Sequence, residues 1–169
     1  MPELIGGSAD LTPSNNTFSS SSSTFSNENA SGNHINYGVR EFGMSAIMNG
    51  MVLHGAIKPY GATFLVFTDY ARNAVRLSAL MKLPNIFVYT HDSVALGEDG
   101  PTHQPIEHMV TLRSTPNLNN WRPADLVETA VAWKSAVSSQ NTPTCLIYSR
   151  QGTSAIKRTP DQISMIDMG

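Results

Sequence analysis

Three of the five histidines, His91, His103 and His108, fall in or beside one stretch that also carries Asp92, Glu98, Asp99 and Glu107. Imidazoles and carboxylates in such density suit two chemistries. One is metal ligation, but His103 and His108 are five residues apart, off the i, i+4 spacing that helical ligand pairs use. The single cysteine adds little to a ligand set, so no metal site is expected. The other is a polar pocket whose side chains hydrogen-bond substrate hydroxyls. Scattered polar residues on an exposed loop fit the pattern equally well. Elsewhere Glu41 opens an apolar-periodic segment, where a carboxylate is favoured by the helix dipole whether or not it does chemistry. Phe64, Phe67 and Tyr70 form an aromatic group of the kind that is usually core and sometimes a binding wall. Arg150 follows an apolar run, where its planar fork could bind phosphate or make a surface ion pair. Ser14 is ambiguous by itself.

These side chains need elements to position them. Met44, Ile47, Met48, Met51 and Val52 recur at helical spacing and predict a helix over about Glu41–His54, ended by Gly55 and Pro59. The run Thr63–Phe67 reads as a buried strand, followed by a helix through Tyr70, Ala74, Leu77 and Met81 that stops near Pro84. Ile86–Thr90 is a second buried strand. A Gly/Pro-containing loop spans His91–Pro105, with a short helix near Ile106–Leu112 and an extended piece at Asn120–Pro123. A helix over Asp125–Ser138 leads into the strand Thr144–Tyr148. Ahead of all this, Leu4-Ile5 starts a short strand, and the Ser/Asn-rich stretch over about 12–37 reads as one long irregular loop. Apolar strands alternating with amphipathic helices predict an α/β fold, a mainly parallel sheet flanked by helices on both faces. In such sheets ligands sit beyond the carboxyl ends of the strands. The polar clusters follow those ends.

Composition bounds the partners. With 169 residues, 40% apolar and a net charge of −2, the chain can build one core and carries no basic surplus that would draw nucleic acid or an anionic membrane. No apolar run approaches the ~18–20 residues a membrane helix needs. Cys145 is alone and cannot form an internal disulfide, and the first residues lack a basic, apolar leader, so a cytoplasmic setting is expected.

Several long stretches resemble transketolases closely and in the right order. They are Gly6-Gly7-Ser8-Ala9-Asp10-Leu11, Tyr37-Gly38-Val39-Arg40-Glu41-Phe42-Gly43-Met44 and Asp69-Tyr70-Ala71-Arg72-Asn73-Ala74. Further on come His91-Asp92-Ser93, Gly97-Glu98-Asp99-Gly100-Pro101-Thr102-His103-Gln104-Pro105 and Trp121-Arg122-Pro123. The resemblance is to the pyrimidine-binding domain of that thiamine-diphosphate family and covers essentially the whole chain. The Gly97–Pro105 loop favours transketolase over deoxyxylulose-phosphate synthase, while dihydroxyacetone synthase is harder to separate.

The resemblance implies a thiamine-diphosphate-binding fold, with a pyrimidine-type domain over 1–150 and a tail over 151–169 leading toward a further domain. It implies that Glu41 contacts N1′ of the cofactor's aminopyrimidine and that Phe64, Phe67 and Tyr70 surround that ring. Asp10 borders the cofactor at a subunit seam. His103 acts with Glu41 at the reacting centre and also contacts substrate. Asp99 reads a sugar hydroxyl, and Ser14, His91 and Arg150 lie toward the substrate phosphate. The reaction implied is transfer of a two-carbon ketol unit between sugar phosphates in the pentose phosphate pathway. The family holds Mg or Ca with the diphosphate through a Gly-Asp-Gly motif and a later Asn. Glu98-Asp99-Gly100-Pro101 does not fit that motif, so the metal is assigned to another domain, one belonging to the second subunit of a homodimer. The chain by itself is therefore expected to be inactive. A module that serves only interaction or dimerisation is the alternative from a different class.

Overall fold

A computed structural model describes residues 1–166. Six strands form one all-parallel sheet: β1 (Leu4–Ser8), β2 (His34–Asn36), β3 (Lys58–Phe64), β4 (Ile86–Asp92), β5 (Asn119–Trp121) and β6 (Thr144–Ser149), in the order β2-β1-β3-β4-β6-β5. The helices are α1 (Thr12–Asn15), α2 (Glu41–His54), α3 (Thr68–Leu80), α4 (His108–Arg113), α5 (Leu126–Ser138) and α6 (Pro160–Ile166). No helix among the described residues is long and apolar enough to cross a membrane.

The period-two alternation of strand side chains divides the interior into two cores. Phe87 and Tyr89 of β4, with Cys145 and Ile147 of β6, meet Met44 and Met48 of α2, Ala71, Val75 and Ala79 of α3, and Leu112 of α4. The intervening Ile86, Val88 and Leu146 turn to the other face and meet Ala132 and Ala136 of α5. Helices therefore cover both faces, as expected. In α3 the buried residues Ala71, Ala74, Val75, Ser78 and Ala79 follow the helical stripe, with Arg72 and Arg76 outside. By contrast, α2 is apolar on two sides: Met44 and Met48 are buried, whereas Ile47 and Leu53 are exposed.

The third strand lies further toward the N-terminus than its apolar run suggests. It covers Lys58–Phe64, and Leu65–Phe67 forms a 3-10 turn. Pro59 and Gly61 look like breakers, yet both are accommodated. The Lys58 backbone N–H donates to the carbonyl of Glu3, just before β1, so by alternation the Pro59 nitrogen faces β4, whose pairing begins only at Tyr60. Gly61 leaves the space that Met44 and Met48 fill, since an added Cβ would lie 2.4 Å from Met48 Sδ. The run stays apolar through Leu65 because that turn residue is fully buried.

The stretch over 12–37 is also more ordered than a loop. It contains the single turn α1 and the edge strand β2, and Phe25 N–H donates to the His34 carbonyl to tie the Ser-rich tract back to that strand. Its serines bond locally among themselves, as at Ser19 and Ser22.

The tail includes α6 and is fastened to α5; its last three residues lie outside the described ones. Asp125 caps α5 by accepting from the Glu128 N–H, and also accepts from the Ile156 N–H. Arg158 bonds both Asp125 and Glu128. The Glu128 N–H bond and then the Arg158 bond hold the Asp125 carboxyl at a pKa of about 2.

Two glycines should respond oppositely to a methyl group. At Gly7 a Cβ would lie 1.9 Å from the Ile35 carbonyl oxygen, and Gly7→Ala should cost about 2 kcal/mol or more by forcing β1 off β2. At Gly50, inside α2, a Cβ meets nothing within 4 Å, and Gly50→Ala should add roughly 0.5–1 kcal/mol. Urea unfolding midpoints check both. Because the native Asp125 pKa lies below the unfolded value of about 3.9, its stabilisation is present above that value and fades as pH falls toward 2. Asp125→Asn should remove that part of the acid-side slope, read from unfolding midpoints measured between pH 5 and about 2.

Candidate functional site

With every strand parallel, all the exits open on one edge, and each exit is irregular in a way that presents side chains. After β3, Phe64, Phe67 and Tyr70 step outward from buried to exposed. Phe64 and Phe67 stack at 5.6 Å and 11°, and Phe67 lies 5.9 Å from Tyr70. The rings form a continuous wall. At the end of β4 the backbone kinks: the register shifts between Tyr89 and Asp92, His91 has φ +61° and Ser93, just beyond, φ +78°. A serine with φ +78° and ψ 160° occupies a region that is almost glycine's alone and costs on the order of 1–3 kcal/mol. Held conformations of that kind concentrate at ligand sites.

The kink lays the His91 ring on Phe64, centroids 3.8 Å apart and 23° from parallel. His103, carried by the 3-10 turn Pro101–His103, stands edge-on to Phe67 at 5.3 Å and to Phe64 at 6.2 Å. Its Nδ1 lies 2.9 Å from Thr102 Oγ1. Burial lowers the His91 pKa, Arg150 and His103 lower it further, and Asp99 partly offsets them. Arg150, at the exit of β6, is bonded to Glu98. The structure thus brings together Phe64, Phe67, Tyr70, His91, Asp99, His103 and Arg150. Seven residues far apart in sequence share one corner.

Other expected site residues stand on the same edge without joining that cluster. Asp10 is exposed at the exit of β1, with φ +62°. Ser14 is exposed on α1, and neither side chain bonds the cluster among the described residues. Glu41 opens α2 as a first-turn acid should, but it is only 8% exposed and its carboxyl has no hydrogen-bond or ion-pair partner among the described residues. A carboxyl on a largely enclosed residue, with no protein donor, is free to accept from a ligand group.

The three histidines do not act as a set. His108, the first residue of α4, is buried, with Nε2 3.2 Å from Asp69 Oδ2 and Nδ1 4.0 Å from Glu107 Oε2. The Asp69 contact links the starts of α3 and α4, and the Glu107 contact is local to α4.

Several contributors carried no sequence signal. Ser8, Asn15 and Thr90 form a buried chain of hydrogen bonds ending on His91. Asp92, 4% exposed, pairs with Arg122 from beyond β5, and Gln151 donates to the Ala95 carbonyl. Long-range polar pairs of this kind have no spacing to betray them. Only the position of Asp92 and Arg122 at strand exits hinted at a meeting.

A parallel α/β domain with an aromatic wall, ionisable loops and an unpartnered carboxylate at its carboxyl edge belongs to the class of open α/β sheets whose ligands gather beyond the carboxyl ends of the strands. The family model "Transketolase, pyrimidine binding domain" matches residues 1–154, and the chain belongs to that family. Transketolase 1 of Vibrio parahaemolyticus is 60% identical over the full chain, which covers 26% of that relative. The Pichia stipitis transketolase complex with sedoheptulose-7-phosphate superposes with a TM-score of 0.93 at 50% identity, over 98% of this chain and 25% of that one. A split-gene transketolase, described as an inactive beta4 tetramer, superposes at 0.72 with 26% identity, over 93% of this chain and 48% of that one. The chain thus spans about a quarter of the curated relatives it matches.

The Arg122 pair should hold the strained exit in place. Arg122→Ala strands the buried Asp92 carboxylate and should cost roughly 1–3 kcal/mol. Adding Asp92→Asn should recover part of that loss in chemical unfolding. A single variant as stable as the parent would show that the pair holds nothing.

Proposed function

We propose that the chain forms the pyrimidine side of a thiamine-diphosphate site in a transketolase. The whole enzyme would move a two-carbon ketol unit from ketose phosphates to aldose phosphates in the pentose phosphate pathway of the cytoplasm. The carrying observation is Glu41, a largely buried residue at the first turn of α2 whose carboxyl has no protein partner among the described residues. The residues suit the cofactor: Phe64 and Phe67 offer flat faces, Tyr70 extends them, and Glu41 offers a carboxyl that can share a proton with a ring nitrogen. When bound, thiamine diphosphate supplies the carbanion chemistry that ketol transfer requires.

The remaining roles are those the family resemblance implies, and the placing of these residues at the strand exits supports them. Asp10 borders the cofactor at the edge of β1. His103, edge-on to the aromatic wall, hydrogen-bonds substrate beside the reacting carbon. Asp99 accepts from a sugar hydroxyl, which selects configuration. Ser14, His91 and Arg150 receive the phosphate end of the sugar, with Arg150 exchanging its Glu98 partner for the ligand. The Mg or Ca ion and the diphosphate fall to a diphosphate-binding domain on the second subunit. The exposed Ile47 and Leu53 of α2 with Leu77 and Leu80 of α3 support a homodimer that covers them. The domain over 1–150 would continue through the 151–169 tail toward a further domain.

The test is reconstitution. Chain alone, with thiamine diphosphate and Mg, should give no ketol transfer. Adding the diphosphate-binding domain of the Vibrio parahaemolyticus relative should restore it. Glu41→Gln in the mixture should lower kcat by about 100-fold or more while leaving the fold intact. Turnover by the lone chain, or an undiminished rate in the Glu41 variant, would overturn the proposal.

A further inference from the structure

One polar chain runs through the interior from β1 to the site. Ser8 Oγ accepts from the Leu11 N–H at 3.1 Å and donates to Asn15 Oδ1 at 2.6 Å. Asn15 Nδ2 donates to Thr90 Oγ1 at 2.6 Å, and Thr90 Oγ1 lies 2.8 Å from His91 Nδ1. All four residues are buried. Each hydroxyl has one proton, so the direction of one bond fixes the next. The Ser8 proton has two acceptors in reach, the Ala62 carbonyl at 3.2 Å, which also accepts from the Ala9 N–H at 2.9 Å, and Asn15 Oδ1 at 2.6 Å; the much shorter contact takes it. Asn15 therefore presents its carbonyl to Ser8 and its amide protons to Thr90. Thr90, having accepted, has its own proton to give to His91 Nδ1.

We infer that Asn15 is a positioning residue which, through Thr90, holds His91 as a neutral imidazole with its proton on Nε2. The ring has little other freedom. Phe64 stacks on one face, and the left-handed backbone at His91 sets its direction. Nε2 is left without a protein partner among the described residues. Burial and the neighbouring Arg150 disfavour a charged ring, which agrees with a neutral donor. A neutral N–H donor suits a phosphate or sugar oxygen that Arg150 already faces: it orients the oxygen without transferring a proton. The tautomer stands on the hydrogen-bond chain itself. Its use at a phosphate end rests on the function proposed above.

Asn15→Asp reverses the logic. A carboxylate accepts from both Ser8 and Thr90, so Thr90 must then accept from a protonated Nδ1 of His91. Nitrogen-15 spectra of the 169-residue chain at neutral pH, with the His91 signal identified by its loss in His91→Gln, read the tautomer directly. The parent should show an unprotonated Nδ1 and Asn15→Asp a protonated one. Thr90→Val, which deletes the link with little change of volume, should show a mixture and guards against a variant that fails to fold. A parent with protonated Nδ1, or a His91 spectrum unchanged by both substitutions, would overturn the inference. In the reconstituted enzyme, Asn15→Asp should raise KM for a phosphorylated ketose about tenfold, equivalent to ~1.4 kcal/mol, with kcat nearly unchanged. An unphosphorylated ketose should be unaffected. Because the spectra need no turnover, failure of the tautomer and failure of the transketolase reading are separable.

Discussion

Everything at this site depends on six strands running in one direction. A parallel sheet must send the chain back behind itself after each strand, and helices make those returns. The amino ends of the helices and the carboxyl ends of the strands then share an edge. That single constraint puts Asp10 after β1, Phe64 to Tyr70 after β3, His91 to His103 after β4 and Arg150 after β6. It also places Glu41, because the first turn of α2 lies where the chain turns back after β2. The central strands can bear this load because β4 is buried along its whole length and pairs on both sides, with β3 and β6. A rigid centre lets its end be irregular.

The irregularity is held from several directions. The kink at His91 and Ser93 stores backbone strain that a free loop would release. Asp92, between them, is pinned to Arg122, and His91 is stacked on Phe64 and tied through Thr90 and Asn15 to β1. These ties come from β5, β3 and β1, the surrounding strands, so the strained exit is fixed to the frame and not to its own loop. Beyond it, Glu98 and the Ala95 carbonyl are held by Arg150 and Gln151 from the exit of β6. Those last contacts are exposed and correspondingly weak. Tight ties near the strand with loose ones farther out leave the outer loop able to exchange protein partners for a ligand.

How far the sequence revealed this depended on the range of the interaction. The helices α2, α3 and α5 were legible because burial imposes a period on residues close in sequence. The strands β4 and β6 were legible as apolar runs bounded by breakers. The third strand was misplaced because Pro59 and Gly61 obey a ladder direction and a packing contact that only the assembled sheet defines. For the same reason α1 and β2 were lost in a polar stretch: three residues pairing with β1 leave no local pattern. At the site, ionisable and aromatic candidates were visible as residue types at strand exits, and their grouping around Phe64 followed from topology. Ser8, Asn15 and Thr90 were invisible. Each is an ordinary polar residue whose importance comes only from partners on other elements.

The same contrast separates what this chain can do alone from what its edge is shaped to do with another. His91 and Asp92 are completed from within, by hydrogen bonds and an ion pair that close inside the domain. Glu41 is not: the residue is 8% exposed and its carboxyl is offered no donor among the described residues. A carboxyl without a protein donor keeps its acceptor capacity free for a group from outside the domain. The aromatic wall is open in the same sense, since Tyr70 is 67% exposed at its outer end. The flat faces of Phe64 and Phe67 and the unmet carboxyl of Glu41 lie at the same carboxyl edge of the sheet, each open to a group from outside the domain. The helices that carry Glu41 and Tyr70, α2 and α3, also carry exposed apolar residues, Ile47 and Leu53 on one and Leu77 and Leu80 on the other, so the surface they share is as incomplete in apolar contacts as the edge is in polar ones.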